Sequence, residues 1–378
     1  VADSQKDADF AQPYDEREGK IVKIPFRNIT NIGPAGAINS SVNEMAHWVA
    51  VHINGGKYKD RQVVNSATLD DMHSAYMPTG GGTTRADISP SDYGLGWFID
   101  TYRGHRRVEH GGNIDGFSAL VSFYPNDGLG FVVLTNRNGT AFPDMVAQTA
   151  ADRILGLEAV DWVGDAAKRL AQGREAQKAA EQKKGTRRRP GTTPAHKLAE
   201  YAGDYWHPGY GALKVEMNGT QLVFTYNAIA TPLEHWHYET FNGLKTGDPT
   251  FQDMKLTFRT DVNGNVASVA APFEPTLDEI VFTKKPEARL SDSEYLKKVS
   301  GKYELQGQTV TVGVKGDGLT ITVPGQPAYD LVPQLGGEYA LKQVKIITLK
   351  FIEGAQGRVT GIELYQPNGV FEAKRVKD

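Results

Sequence analysis

At 378 residues, with 39% apolar and 23% charged residues and a formal net charge of −3, the chain has the composition of a soluble globular protein long enough for two or three domains. That charge gives no global attraction for nucleic acid, and the absence of cysteine excludes a disulfide framework, a thiolate metal site and a cysteine nucleophile. No run of about 18 apolar residues marks a transmembrane helix, and the start "VADSQKDADF" has neither an initiator Met nor a charged-then-apolar signal pattern, which points to a processed or truncated start.

A polar opening leads into "NIGPAGAINSSVNEMAHWVAVHINGG". Ser41 and Glu44 have the spacing of a capping box, Met45, Trp48, Val49, His52 and Ile53 follow at helical spacing, and Gly55-Gly56 ends the run, so a packed helix is expected. "SATLDDMHSAY" predicts a second helix with Ser66 as N-cap and Leu69, Met72 and Ala75 or Tyr76 on one face. "YGLGWFIDTYRG" reads as a strand, and residues 106–109, 117–124 and 129–135 as an antiparallel meander punctuated by Gly-rich and Pro-Asn-Asp-Gly turns. Within it, His110-Gly111-Gly112 lies at the lip of a strand edge bare of side chains, where a ligand or another backbone can come close. "AFPDMVAQTAADRILGL" then predicts an amphipathic helix across the sheet.

From residue 161 the pattern is helical but increasingly polar, ending in a basic run at residues 183–189 that lacks interleaved aromatics; it reads as a solvated linker. Beyond it, "LAEYAGDYWHPGYGALKVEMNGTQLVFTY" and "LKKVSGKYELQGQTVTVGVKGDGLTITVPG" repeat one scheme, a hydrophobic start, Gly-x-Tyr, then short strands broken at tight turns. Two up-and-down barrels in tandem are expected, with one larger barrel as the competitor. The expected boundaries are 1–158, a helical basic linker at 159–194, and barrels at 195–286 and 290–378. His207, His235 and His237 could be drawn together as a zinc site, but no partner is fixed by spacing and Trp236 and Tyr238 suggest an aromatic barrel wall; Tyr201, Tyr205, Trp206 and Tyr210 read as barrel core and rim. No metal and no cofactor is expected.

"GPAGAINSSVNEMAHW", "YGLGWFID" and "HGGNIDGFSALVSFYPNDGLGFVVLTN", in that order, resemble the serine β-lactamase-like hydrolases: class C β-lactamases, D,D-peptidases, D-aminopeptidases and related esterases. "YAGDYW", "LEHWHYETF" and the barrel repeat resemble the family's accessory C-terminal domains. The resemblance implies an α+β fold, a partial β-lactamase-like antiparallel sheet with packed helices, followed by two small lipocalin-like antiparallel barrels. It also implies that His110, Gly111 and Gly112 are the family's third motif, Lys-Thr-Gly or His-x-Gly, and that the backbone N–H of Asn113 supplies half of an oxyanion hole.

The other two family motifs are missing. No serine is followed three residues later by lysine, so the Ser-x-x-Lys nucleophile box is absent. For the Tyr-x-Asn motif there are only Ser41-Val42-Asn43, at a helix start, and Tyr124-Pro125-Asn126, at a turn, while the literal Lys245-Thr246-Gly247 falls in a turn-rich barrel stretch. The expectation is the C-terminal portion of a serine hydrolase acting on a small-molecule or peptide substrate, inactive alone, with its nucleophile on a missing N-terminal segment or a second protomer. By resemblance the location is periplasmic or secreted. A non-catalytic ligand-binding barrel module and an assembly element pairing through an exposed sheet edge are the alternatives.

Overall fold

The structure, a computed structural model, describes residues 4–17, 19–80, 85–184 and 188–376. It divides into two units, Val1–Gln182 and Lys183–Asp378. In the first unit the strands are β1 (Tyr14–Arg17), β2 (Lys20–Lys23), β3 (Lys57–Tyr58), β4 (Arg61–Gln62), β5 (Met77–Pro78), β6 (Asp92–Tyr93), β7 (Phe98–Tyr102), β8 (His105–Ile114), β9 (Phe117–Tyr124) and β10 (Leu129–Thr135). Its helices are α1 (Gly33–Gly36), α2 (Val42–Ile53), α3 (Ser66–Met72), α4 (Phe142–Ile154) and α5 (Trp162–Lys184).

Six strands form an antiparallel sheet in the order β10-β9-β8-β7-β6-β5. Alternation along a strand sends Phe123 and Tyr124 to opposite faces. Phe123 packs with Val49 of α2, Trp97 and Val108; Tyr124 packs with Tyr102, Trp162 and Ala151 of α4. The sheet is therefore held between α2 and α4. Ser41 caps α2 as expected, its side chain accepting from the Glu44 N–H. The cap of α3 is Asn65 and not Ser66: Asn65 is the extended residue, and its side chain accepts from the Ala67 N–H at 2.9 Å. That helix stops at Met72, so Ala75 and Tyr76 leave its face, and Tyr76 is exposed with its hydroxyl on Asp71. Trp48, expected in the packed face of α2, is also exposed, and Val51 is buried with Val49 and His52.

β8 corrects the expected strand at 106–109. It runs through Gly111-Gly112 to Ile114, because β9 pairs with it continuously from Val108↔Phe123 to Ile114↔Phe117. A cross-strand partner overrides the local weakness of two glycines. At the other end of the sheet β10 is an edge, although every residue of Leu-Gly-Phe-Val-Val-Leu-Thr is uncharged and none is buried.

The second unit holds two closed eight-stranded antiparallel barrels, so the single larger barrel is not formed. The first closes where Gly203–His207 pairs with Ile280–Lys284, the second where Gly301–Leu305 pairs with Gly369–Arg375. Side chains fill both interiors, among them Tyr201, Tyr205, Phe224, Phe241 and Phe258 in the first and Tyr303, Tyr339, Leu349 and Phe351 in the second. The Gly-x-Tyr repeat is a plug. A short helix, α6 (Leu198–Tyr201) or α7 (Ser293–Val299), is followed two residues later by Gly203 or Gly301, at φ +148° or +146°, which opens the first strand of the barrel. The tyrosine two residues on turns back, with Tyr205 donating to the Tyr201 carbonyl at 2.6 Å and Tyr303 to the Val299 carbonyl at 2.5 Å. A cation from the last strand completes each plug: Lys284 donates to the Glu200 carbonyl, Arg375 to those of Lys298 and Ser300. Trp206 is exposed, and Tyr238, expected in a barrel wall, is exposed at φ +44°, while Trp236 lies between Lys255 and Arg188. Residues 185–187 of the basic run lie outside the described residues.

Candidate functional site

β8 pairs with β7 from His105 to Glu109, where the register ends at Phe98↔Glu109, and with β9 from Val108 onward, so it has a strand on each side at Val108 and Glu109. From residue 110 to 114 it is paired by β9 alone, and among the described strands none takes its other side. His110, Gly111, Gly112 and Asn113 occupy this half-paired stretch. Gly111, Gly112 and Asn113 are exposed, and His110 is half-buried.

The two glycines are not demanded by the chain's own packing. A Cβ on Gly111 would find only the Ala119 carbonyl oxygen at 3.7 Å, and one on Gly112 only the Ala119 Cβ at 4.0 Å; neither residue has positive φ. Their bareness instead leaves the strand edge open to an approaching group. Asn113 is held down by its side chain, whose Oδ1 lies 2.6 Å from the Ser118 hydroxyl oxygen, leaving its backbone as what it presents. His110 has both ring nitrogens engaged: Nδ1 is 2.6 Å from the Gly111 carbonyl oxygen, and Nε2 is 3.1 Å from the Tyr93 hydroxyl.

On the part of the site strand that pairs with β7 sits a buried charged cluster that sequence reasoning missed. Arg107 donates to both Asp100 oxygens, at 2.9 and 2.6 Å, and its Nη1 is 3.2 Å from Glu109. Burial pushes the Glu109 carboxyl up to about 7, against the pull of Arg107 and helped by Asp100 and Asp144. Burial also raises Asp144, at the start of α4. On the α2 face, His52 Nδ1 and His73 Nε2 are 2.9 Å apart, boxed by Trp48, Trp97 and Phe123. Burial drives both imidazoles down to about 4, with His73 opposing protonation of His52, and Arg106 that of His73.

The remaining motifs lie away from this strand edge or serve the local backbone. Ser41-Val42-Asn43 starts α2, and Tyr124-Pro125-Asn126 enters a 3-10 turn. Thr246 of the literal Lys-Thr-Gly donates to the Asp248 carbonyl in a loop of the first barrel. His207 Nδ1 accepts from the N–H groups of Gly209 and Tyr210, His235 Nε2 meets the Tyr238 carbonyl, and His237 Nδ1 accepts from the Arg189 N–H. Among the described residues no group of three or more His, Asp or Glu side chains could hold a metal ion. No helix among them is long and apolar enough to cross a membrane.

Comparison with known proteins gives matches to two family models, "Beta-lactamase" over residues 2–155 and "Domain of unknown function (DUF3471)" over residues 187–284. The chain is 30% identical over 278 residues to "Unguisins hydrolase ungD'" of Aspergillus campestris (strain IBT 28561), covering 69% of this chain and 50% of that protein. It is also 30% identical over 239 residues to "Unguisins hydrolase ungD" of Aspergillus violaceofuscus (strain CBS 115571), covering 56% of this chain and 42% of that one. The chain thus spans about half the length of the curated relatives it matches. Among solved structures, the octameric penicillin-binding protein homologue from Pyrococcus abyssi aligns at 20% identity and a TM-score of 0.35, covering 75% of this chain and 55% of that one.

Proposed function

From the match of residues 2–155 to the Beta-lactamase family model we propose that the chain is one wall of a serine acyl-hydrolase site for a β-lactam, a D-amino-acid peptide or an ester. The observation that carries this reading is the half-paired stretch of β8, where an imidazole and two glycines with no packing role lie along an open backbone edge. A substrate carbonyl laid there meets backbone donors already fixed by the sheet, and we assign the Asn113 N–H to the developing oxyanion. The nucleophilic hydroxyl and its base belong, in this proposal, to a segment outside these 378 residues. The hydroxyl oxygen bonds to the carbonyl carbon as its proton passes to the base; the bond from that carbon to the leaving group breaks and the leaving atom takes the proton; water then bonds to the acyl carbon, the acyl–oxygen bond breaks, and the hydroxyl regains a proton.

Two observations support the division of labour. The sequence has no Ser-x-x-Lys, and the edge strand β10 carries no charge, proline or bulge to discourage pairing with a further strand. The filled barrel interiors give no support to a ligand held in a barrel lumen. The reading is tested by intact mass and turnover after exposure to a fluorophosphonate and a reporter β-lactam. The chain alone should gain no adduct and turn over nothing. Supplying the nucleophile-bearing segment should restore turnover that His110→Ala then lowers. An acylated serine within the chain would overturn the proposal.

A further inference from the structure

We propose that Tyr93 is the positioning residue of His110, holding its ring in a single tautomer with the proton on Nδ1. The inference deepens the acyl-hydrolase reading and takes its catalytic meaning from it. A carbonyl oxygen only accepts, so the 2.6 Å contact with Gly111 requires a proton on Nδ1. The neutral ring then has a bare Nε2, and the hydroxyl 3.1 Å away donates to it. The Tyr93 ring packs edge-on to Phe98 at 4.8 Å, and Phe98 in turn lies 5.5 Å from the His110 ring, so three rings close the corner where the β7 pairing stops and β8 continues against β9 only.

The chain commits a glycine to seating Tyr93. A Cβ on Gly94, the next residue, would lie 2.4 Å from the Met72 carbonyl oxygen and 2.8 Å from that of Ser74. With its Nε2 lone pair given to the phenol, His110 is a positioned ring and not a free base. The Tyr93 oxygen keeps two lone pairs and becomes the acceptor that the pair offers to an N–H or O–H of the substrate.

The test is a long-range proton–nitrogen correlation spectrum of the chain labelled with 15N-histidine, at a pH where the imidazoles are neutral, with His110 assigned by loss of its signals in His110→Gln. The expected result is one His110 species, protonated at Nδ1 and bare at Nε2. In Tyr93→Phe, which keeps the ring packing, the Nε2 resonance should move toward the position of a nitrogen that accepts no bond, while Nδ1 stays. A proton on Nε2 in the native chain, or both nitrogens unmoved by Tyr93→Phe, would overturn the assignment. Failure of the hydrolase reading would show instead as absent turnover after the nucleophile-bearing segment is supplied, with these spectra unaffected.

Discussion

Acid should release α2 and α3 from the sheet before it disturbs the site strand. His52 and His73 are 4% and 6% exposed and share one hydrogen bond, and His52 Nε2 has no partner among the described residues. Both imidazoles titrate in the fold near 4 against an ordinary 6.5, a depression of about 2.5 pH units each. Because the folded value is depressed, the stabilisation is complete above pH 6.5, declines as pH falls toward 4, and changes no further below that. At about 1.4 kcal/mol per unit the loss is at most roughly 3 kcal/mol per ring. Allowing for water reaching the pair as the helices loosen, roughly 3 kcal/mol for both together is the working figure. Glu109 acts in the opposite direction. Its carboxyl is raised to about 7, so the neutral form favoured by burial is gained as pH falls. A global melt mixes the two effects, and the separate barrels prevent a single unfolding free energy. Hydrogen exchange of peptides covering residues 42–53 and 66–76, corrected for intrinsic rate, separates them. Protection there should drop between pH 6.5 and 4 while that of β8 does not, and the double variant His52→Phe/His73→Leu should flatten the dependence. Equal pH dependence in the native chain and the double variant would refute the reasoning.

Three further outcomes follow from the packing. Gly111→Ala and Gly112→Ala should leave the melting temperature almost unchanged, within about 0.5 kcal/mol, whereas Gly94→Ala should destabilise the first unit by several times that because its Cβ meets backbone at 2.4 Å; equal effects in thermal denaturation would remove the case for an open edge. Gly203→Ala should cost the first barrel about 1–2 kcal/mol, since φ is +148° and the Cβ would lie 2.6 Å from Lys284 Cε; exchange of its strands is the measure. Asp152→Ala should cost about 3–5 kcal/mol, because this 2%-exposed carboxylate accepts from Tyr102 at 2.7 Å and Trp162 at 2.8 Å and pairs with Arg103 at 2.8 Å; a lowered denaturation midpoint read by Trp162 fluorescence checks it.

What was legible in the sequence was what local chemistry decides. The strands expected at 117–124 and 129–135 coincide with β9 and β10, because Gly and Pro-Asn-Asp-Gly bound apolar runs there with no competing pattern. The tandem barrels follow from a repeat whose tyrosines need a nearby carbonyl to accept their buried hydroxyl protons. Contacts between distant residues were not legible. Tyr93 meets His110 across 17 residues and His52 meets His73 across 21, and no spacing rule joins them. The extension of β8 through two glycines likewise depends on β9, not on the glycines' own preferences.

β10 shows most clearly how sequence and fold can disagree for a reason. Natural sheet edges carry a charge, a proline, a bulge or a short length to discourage pairing. Leu129–Thr135 has seven residues in unbroken register with β9, with no charge and no proline. Beside it, Val42, Ala46, Val49, Ala50 and Ile53 of α2 border an apolar groove of about 230 Å³ that Gly130 and Val132 help to line. On the other face, α4 turns Phe142, Val146 and Ile154 outward. With α2 and α4 over its two faces, what β10 leaves open is its unguarded hydrogen-bonding edge, and under the proposed function that edge is where the segment carrying the nucleophile would join the sheet.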